Sequence, residues 1–186
     1  MSTTYTVVDY TNLANLTAGS TTSATSVGFA LKSSHSVLRI ATENLASSGA
    51  YFNIASQNAA PTATAANPIA SGETFVNVPG RSAKISTTAA DTGSGNFQVK
   101  FDLPNDHHHP FETGDYVQIS GTSESGINNH FAEVDNSVNS TCVVVGTTGG
   151  SVDAATGGVL RLAYKMAVLQ VTASTKLTVT EVTPGN

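Results

Sequence analysis

The sequence predicts an all-β chain, an antiparallel β-sandwich carrying an inserted or appended small β module. Two observations carry that expectation. Short segments with apolar residues at every second position recur along the whole chain, and turn formers separate them at intervals of roughly ten residues. A third supports it: no segment shows a helical apolar stripe.

The clearest element is Phe97-Gln98-Val99-Lys100-Phe101-Asp102-Leu103, in which each odd position is apolar and each even one polar. Successive side chains of a strand point to opposite faces, so Phe97, Val99, Phe101 and Leu103 belong to one buried face. The same pattern predicts strands at 4–10, 27–31, 37–42, 51–55, 74–78, 83–87, 116–120, 141–145, 159–163, 167–172 and 176–183. Ser48-Gly49, Pro79-Gly80, Gly93-Ser94-Gly95, Gly149-Gly150 and Gly157-Gly158 supply the reversals between them. The run that opens at Ser56 and closes at Gly72 is Ala-rich, holds two prolines and has no alternation. It reads either as an extended loop or as an arm that orders on a neighbour.

A boundary is expected at Leu103-Pro104, where a clean strand meets proline and a polar, histidine-rich run. The expected division is residues 1–103 plus 164–186 for the sandwich and 104–163 for the small module. Residues 164–183 would form a closing pair of strands that reverses near Ala173-Ser174.

Charged residues make up 11% of the 186 positions, and Ser and Thr supply about a quarter. Polarity here is hydroxyl and not ionic. A net charge of −5 with many β-branched residues favours an ordered chain over a disordered one. The eight Lys and Arg are scattered, and there is no Trp for base stacking, so direct nucleic-acid binding is not expected. No apolar run approaches the ~20 residues of a membrane helix. Met1-Ser2-Thr3-Thr4-Tyr5 lacks a basic region followed by an apolar run, so no signal peptide is expected. Cys142, the single cysteine, sits in Thr141-Cys142-Val143-Val144-Val145 and is expected to act as a small buried hydrophobe.

Residues 111–122 (FETGDYVQISGT), followed by Ile127-Asn128-Asn129-His130-Phe131-Ala132-Glu133-Val134 and by Gly157-Gly158-Val159-Leu160-Arg161, resemble small β modules of tailed-bacteriophage virion proteins. In those modules a "GD-x-V-x-I-S-G" strand leads through an Asn-containing turn to two further strands and a closing "GG-x-L/V" strand. Residues 67–78 leading into Ala83-Lys84-Ile85-Ser86 also resemble β-sandwich domains of phage head accessory proteins. The resemblance implies a virion structural protein, made in the host cytoplasm. Its first form is a capsid decoration or cement protein, a homo-oligomer whose partners are the major capsid protein and copies of itself. The alternative is a tail, baseplate or fibre module that recognises a host surface glycan or protein through loops at Gly121 to Asn129 and Thr147 to Gly157.

The chemistry-bearing residues point away from catalysis, and no cofactor is expected. Asp106-His107-His108-His109-Pro110 is the one cluster of metal-ligand types, with His130 or Glu112 able to complete a set. In an extended segment His107 and His109 share a side while His108 faces the other way. The default reading is therefore a solvated loop or a subunit contact. No G-x-S-x-G elbow, phosphate-binding Gly loop or H-E-x-x-H occurs. The carboxylates Glu112, Asp115, Glu124, Glu133 and Asp135 single out no pair for glycoside hydrolysis.

Overall fold

A computed structural model describes residues 5–17, 25–32, 35–44, 50–56, 67–70, 72–89, 96–103, 107–138, 141–145, 153–170 and 176–184. Among them are twelve strands joined in antiparallel ladders, with a single 3-10 turn at Ser125–Ile127. The expected all-β antiparallel class is what forms. The chain divides into two compact units, one of residues 1–55, 59–80 and 165–186, the other of 56–58 and 81–164.

In the first unit β1 (Tyr5–Thr17), β12 (Lys176–Pro184), β3 (His35–Glu43) and β5 (Glu73–Pro79) form a sheet in the order β1-β12-β3-β5. Leu177, Val179, Leu38 and Ile40 on one face of β12 and β3 are fully buried, as alternation against an apolar layer requires. The second half of β11 (Val159–Gln170) pairs with β4 (Ala50–Ala55), and β2 (Thr25–Ala30) also adjoins β11. These strands contribute Phe29, Phe52, Met166 and Val168 to the core, with Leu31 just beyond β2. Glu181 of β12 is buried too, and its carboxylate accepts the Lys32 N–H at 3.0 Å. A buried carboxylate without such a donor would carry its full desolvation cost.

The second unit closes on itself. Its first strand, β6 (Ser82–Thr88), pairs with β7 (Asn96–Phe101), which pairs with β10 (Thr141–Val145); β10 pairs with β9 (Phe131–Val138), and β9 with β8 (Tyr116–Ser120). The first half of β11 pairs with β8 on one side and β6 on the other, Leu160 standing opposite both Ile119 and Ala83. Every strand of the ring β6-β7-β10-β9-β8-β11 thus has two neighbours, which leaves no edge. Alternate positions fill the interior: Ala83 and Ile85, Val99 and Phe101, Val117 and Ile119, Ala132 and Val134, Leu160 and Leu162 are all buried. The expected core face of β7 is in place at Val99 and Phe101; Leu103 lies beyond the strand and is half-buried.

Several expectations change. The units part at Gly80/Arg81, not at Leu103/Pro104, because β6 and β7 are needed to close the ring on β11 and β10. Strand β7 ends at Phe101, and the unit continues past it to residue 164. The two strands expected at 159–163 and 167–172 are one strand of twelve residues. The last two strands pair back onto the first part of the chain and, among the described residues, not with each other: β12 takes β1 and β3 as partners, and β11 takes β2 and β4 besides β6 and β8. The buried state expected for the Cys142 side chain lies outside the described residues.

Candidate functional site

Two segments of the barrel unit gather the polar side chains singled out in the sequence. The first is the strap 107–115 that leads into β8. His107 and His108 are both exposed and His109 is only 7% exposed, so the expected sharing of one side by His107 and His109 does not hold, and burial alternates only from His108 to Glu112. The His109 ring lies 4.8 Å from Phe101 and 6.0 Å from Phe111, centroid to centroid, and its Nδ1 accepts the Phe111 N–H at 3.2 Å. Phe101 and Phe111 stack at 5.7 Å. His107 and His108 are open to solvent, whereas the His109 ring is taken up by two aromatic neighbours.

Past His109 the strap is held by charge. The Arg81 guanidinium donates to the Pro110 carbonyl at 2.8 Å and to one oxygen of the buried Asp115 carboxylate at 3.0 Å. The other Asp115 oxygen accepts the Glu112 N–H at 2.8 Å. Gly114, at φ +91°, donates to the Val134 carbonyl, and the Val134 N–H returns to the Asp115 carbonyl. Neighbouring phenols respond to this setting. Burial pushes the Tyr164 phenol above its ordinary range; the nearby Arg81 charge works against that shift and the Asp115 charge adds to it. Burial likewise raises Tyr116, whose ring stacks on Phe131 at 5.2 Å.

The second segment joins described parts of the two loops expected to form a contact surface; residues 147–152 of the second loop lie outside the described residues. Residues 121–130 connect β8 to β9, and 153–158 precede β11. The Ser123 N–H donates to the Thr156 carbonyl at 3.0 Å, and the Thr156 N–H to the Ser123 hydroxyl at 2.9 Å. Asn128 organises the longer loop from within. Its side-chain oxygen accepts the Thr122 N–H at 2.9 Å, and its amide nitrogen donates to the Thr122 and Glu124 carbonyls at 3.0 and 3.2 Å. Fully buried Ile127 anchors the loop, and the Glu124 carboxylate caps the short turn by accepting the Gly126 N–H. Thr88 holds the shorter loop through a reciprocal pair with Ala155: the Thr88 N–H donates to the Ala155 carbonyl, and the Ala155 N–H to the Thr88 hydroxyl. Among the described residues, this end of the barrel presents hydroxyls, main-chain groups and the exposed Asn129 and His130. Groups already held in place by such bonds have less ordering entropy to lose in any further contact.

Other candidate positions are distributed. Among the described residues no three His, Cys, Asp or Glu come together in a way that could hold a metal. His109 spends Nδ1 on the Phe111 N–H, while His130 stands in the β8–β9 connection. Of the candidate arm from Ser56 to Gly72, residues 57–66 and 71 lie outside the described residues. Its far end is not free: Ile69 is buried, its N–H donates to the Ala50 carbonyl, and the Phe52 N–H donates to the Asn67 carbonyl. Its first residue belongs to the barrel unit, where the Ser56 carbonyl accepts the Tyr116 N–H. Sequence reasoning missed Arg81 and the lock made by Asn128. An ion pair spanning 34 residues has no local signature, whereas Asn128-Asn129 ahead of a strand is a turn signal that could have been weighed more heavily. No protein-family model and no curated protein matches this chain.

Proposed function

We propose that this chain is a structural protein of a tailed-phage particle, a capsid decoration or cement protein that bridges neighbouring capsid subunits and associates with copies of itself. One observation supports it above the others. The stretch that resembles virion β modules coincides with a folded sequence of elements: β8, the Asn128-Asn129 turn, β9, β10, and β11 entered through Gly157-Gly158. That is the order of strands the resemblance implies, and those strands close the barrel. An edgeless barrel joined to a sheet unit suits a role in which stability and surface matter more than chemistry. Many copies on a lattice need only modest interfaces, since repeated attachment raises effective affinity.

The joining of 121–130 with 153–158 favours a second reading, a tail, baseplate or fibre module whose barrel end binds a host glycan or protein. Copy number separates the two. Quantitative mass spectrometry of purified particles should find this chain in amounts comparable to the major capsid protein. A handful of copies per particle would favour the tail reading, and absence from particles would sink both.

A further inference from the structure

We propose that His109 is an acid-operated latch: its neutral imidazole pins the strap 107–115 against β7, and its protonation in mildly acidic solution releases the strap. The direction of one hydrogen bond carries the inference. A main-chain N–H can only donate, so Nδ1 of His109 must offer Phe111 a lone pair, and the ring is neutral for as long as that bond stands. Protonation at Nδ1 turns the acceptor into a donor facing another donor. The ring cannot simply turn to water, because it is 7% exposed and lies against Phe101 and Phe111.

Among the described residues, the charged groups near the strap have partners of their own. On the strap, both Asp115 oxygens are engaged, one by Arg81 and one by the Glu112 N–H. The Glu112 carboxylate is strongly exposed and lies 4.0 Å from Arg81. Arg81 itself is a fixed cation bonded to the carbonyl of Pro110, the residue after His109, and disfavours a second positive charge there. Just beyond β7, Asp102 pairs with Lys84 of β6. Tyr164, beside Arg81 and Asp115, keeps its proton throughout the acidic range. His107 and His108 are exposed.

Two measurements on the full chain test this. Nitrogen-15 NMR of the histidine rings at about pH 7.5 should find His109 with its proton on Nε2 and Nδ1 bare. Hydrogen exchange, corrected for intrinsic rate, should show Phe111 protection falling about tenfold per pH unit below about 6.5, where the released imidazole takes up one proton. His109→Asn places a non-titrating acceptor near the Nδ1 position and should leave that protection flat with pH. A variant carrying His107→Ser and His108→Ser should keep the wild-type response. The latch is overturned by a proton on Nδ1 at neutral pH, or by constant Phe111 protection down to about pH 5. It is equally overturned by a pH response that persists in His109→Asn or vanishes with His107 and His108. Should His109→Asn fail to fold, the wild-type tautomer decides alone.

Discussion

Gly158 occupies φ +94°, and a methyl group built on its Cα would meet the Ser120 carbonyl oxygen at 2.8 Å and the Thr122 methyl at 2.7 Å. Its neighbour Gly157 has φ +71° with nothing within 4 Å of the same position. The pair therefore separates two costs that a glycine can carry. Gly157→Ala meets only the left-handed backbone penalty, about 1–2 kcal/mol. Gly158→Ala meets a comparable backbone strain and must also move β8, because the obstructing oxygen is main chain, so we expect a loss of roughly 3 kcal/mol or more. Denaturant unfolding of both variants checks this, and equal losses would show that the close approach to β8 is not a constraint. The residue scale also limits what a sequence discloses. Gly157-Gly158 announces a reversal, but which of the two is crowded depends on Ser120 and Thr122, more than thirty residues earlier.

Arg81 and Asp115 tie the strap and β8 to the start of β6, and the Leu162 N–H donates to the Arg81 carbonyl, so three elements meet at one residue. Asp115→Ala removes the acceptor for both the guanidinium and the Glu112 N–H and should cost about 2–4 kcal/mol, below the fully buried case because Arg81 is partly exposed. Adding Arg81→Met should cost less than the sum of the two single changes, with a coupling of at least about 1 kcal/mol by a double-mutant cycle. Strict additivity would mean the pair contributes nothing as a pair. Elements of this fold were legible where one face alone is buried. Phe97 to Phe101 alternates because only one side of β7 meets the core. Strand β11 was read as two because Leu162, Ala163 and Tyr164, then Met166, Ala167 and Val168, are buried in succession. Both of its faces are covered, and period-2 contrast disappears. Strand β9 lacks a clean period-2 contrast because Phe131 and Ala132 are both apolar and Asn136-Ser137 precede its last residue, Val138. The strap's aromatic seat for His109 depends on Phe101, eight positions away beyond a proline, and alternation says nothing about such a contact.

The two units manage their sheets differently. The barrel has no edge, whereas the four-stranded sheet ends at β1 and β5 among the described residues. β5 begins with Glu73, ion-paired to Arg39 of β3, and closes with Pro79, features that discourage a further strand from pairing there. The Arg39 guanidinium holds the exposed Glu73 carboxyl below its ordinary range. The barrel's own weakness lies at high pH. Tyr116 and Tyr164 both belong to it, and burial raises both phenols above the ordinary value of about 10. A raised phenol keeps its proton in the folded state while the unfolded chain releases one near pH 10. Stability is therefore fully present below about pH 10 and declines as the pH rises towards the folded-state values. The expected outcome is that phenolate absorbance from these two tyrosines appears together with loss of the β signal in circular dichroism. Tyr164→Phe removes one of the two titrations and should carry the alkaline limit to higher pH, provided the ring still packs. Ionisation of both tyrosines near pH 10 with the β signal intact would show that neither phenol is held neutral by the fold.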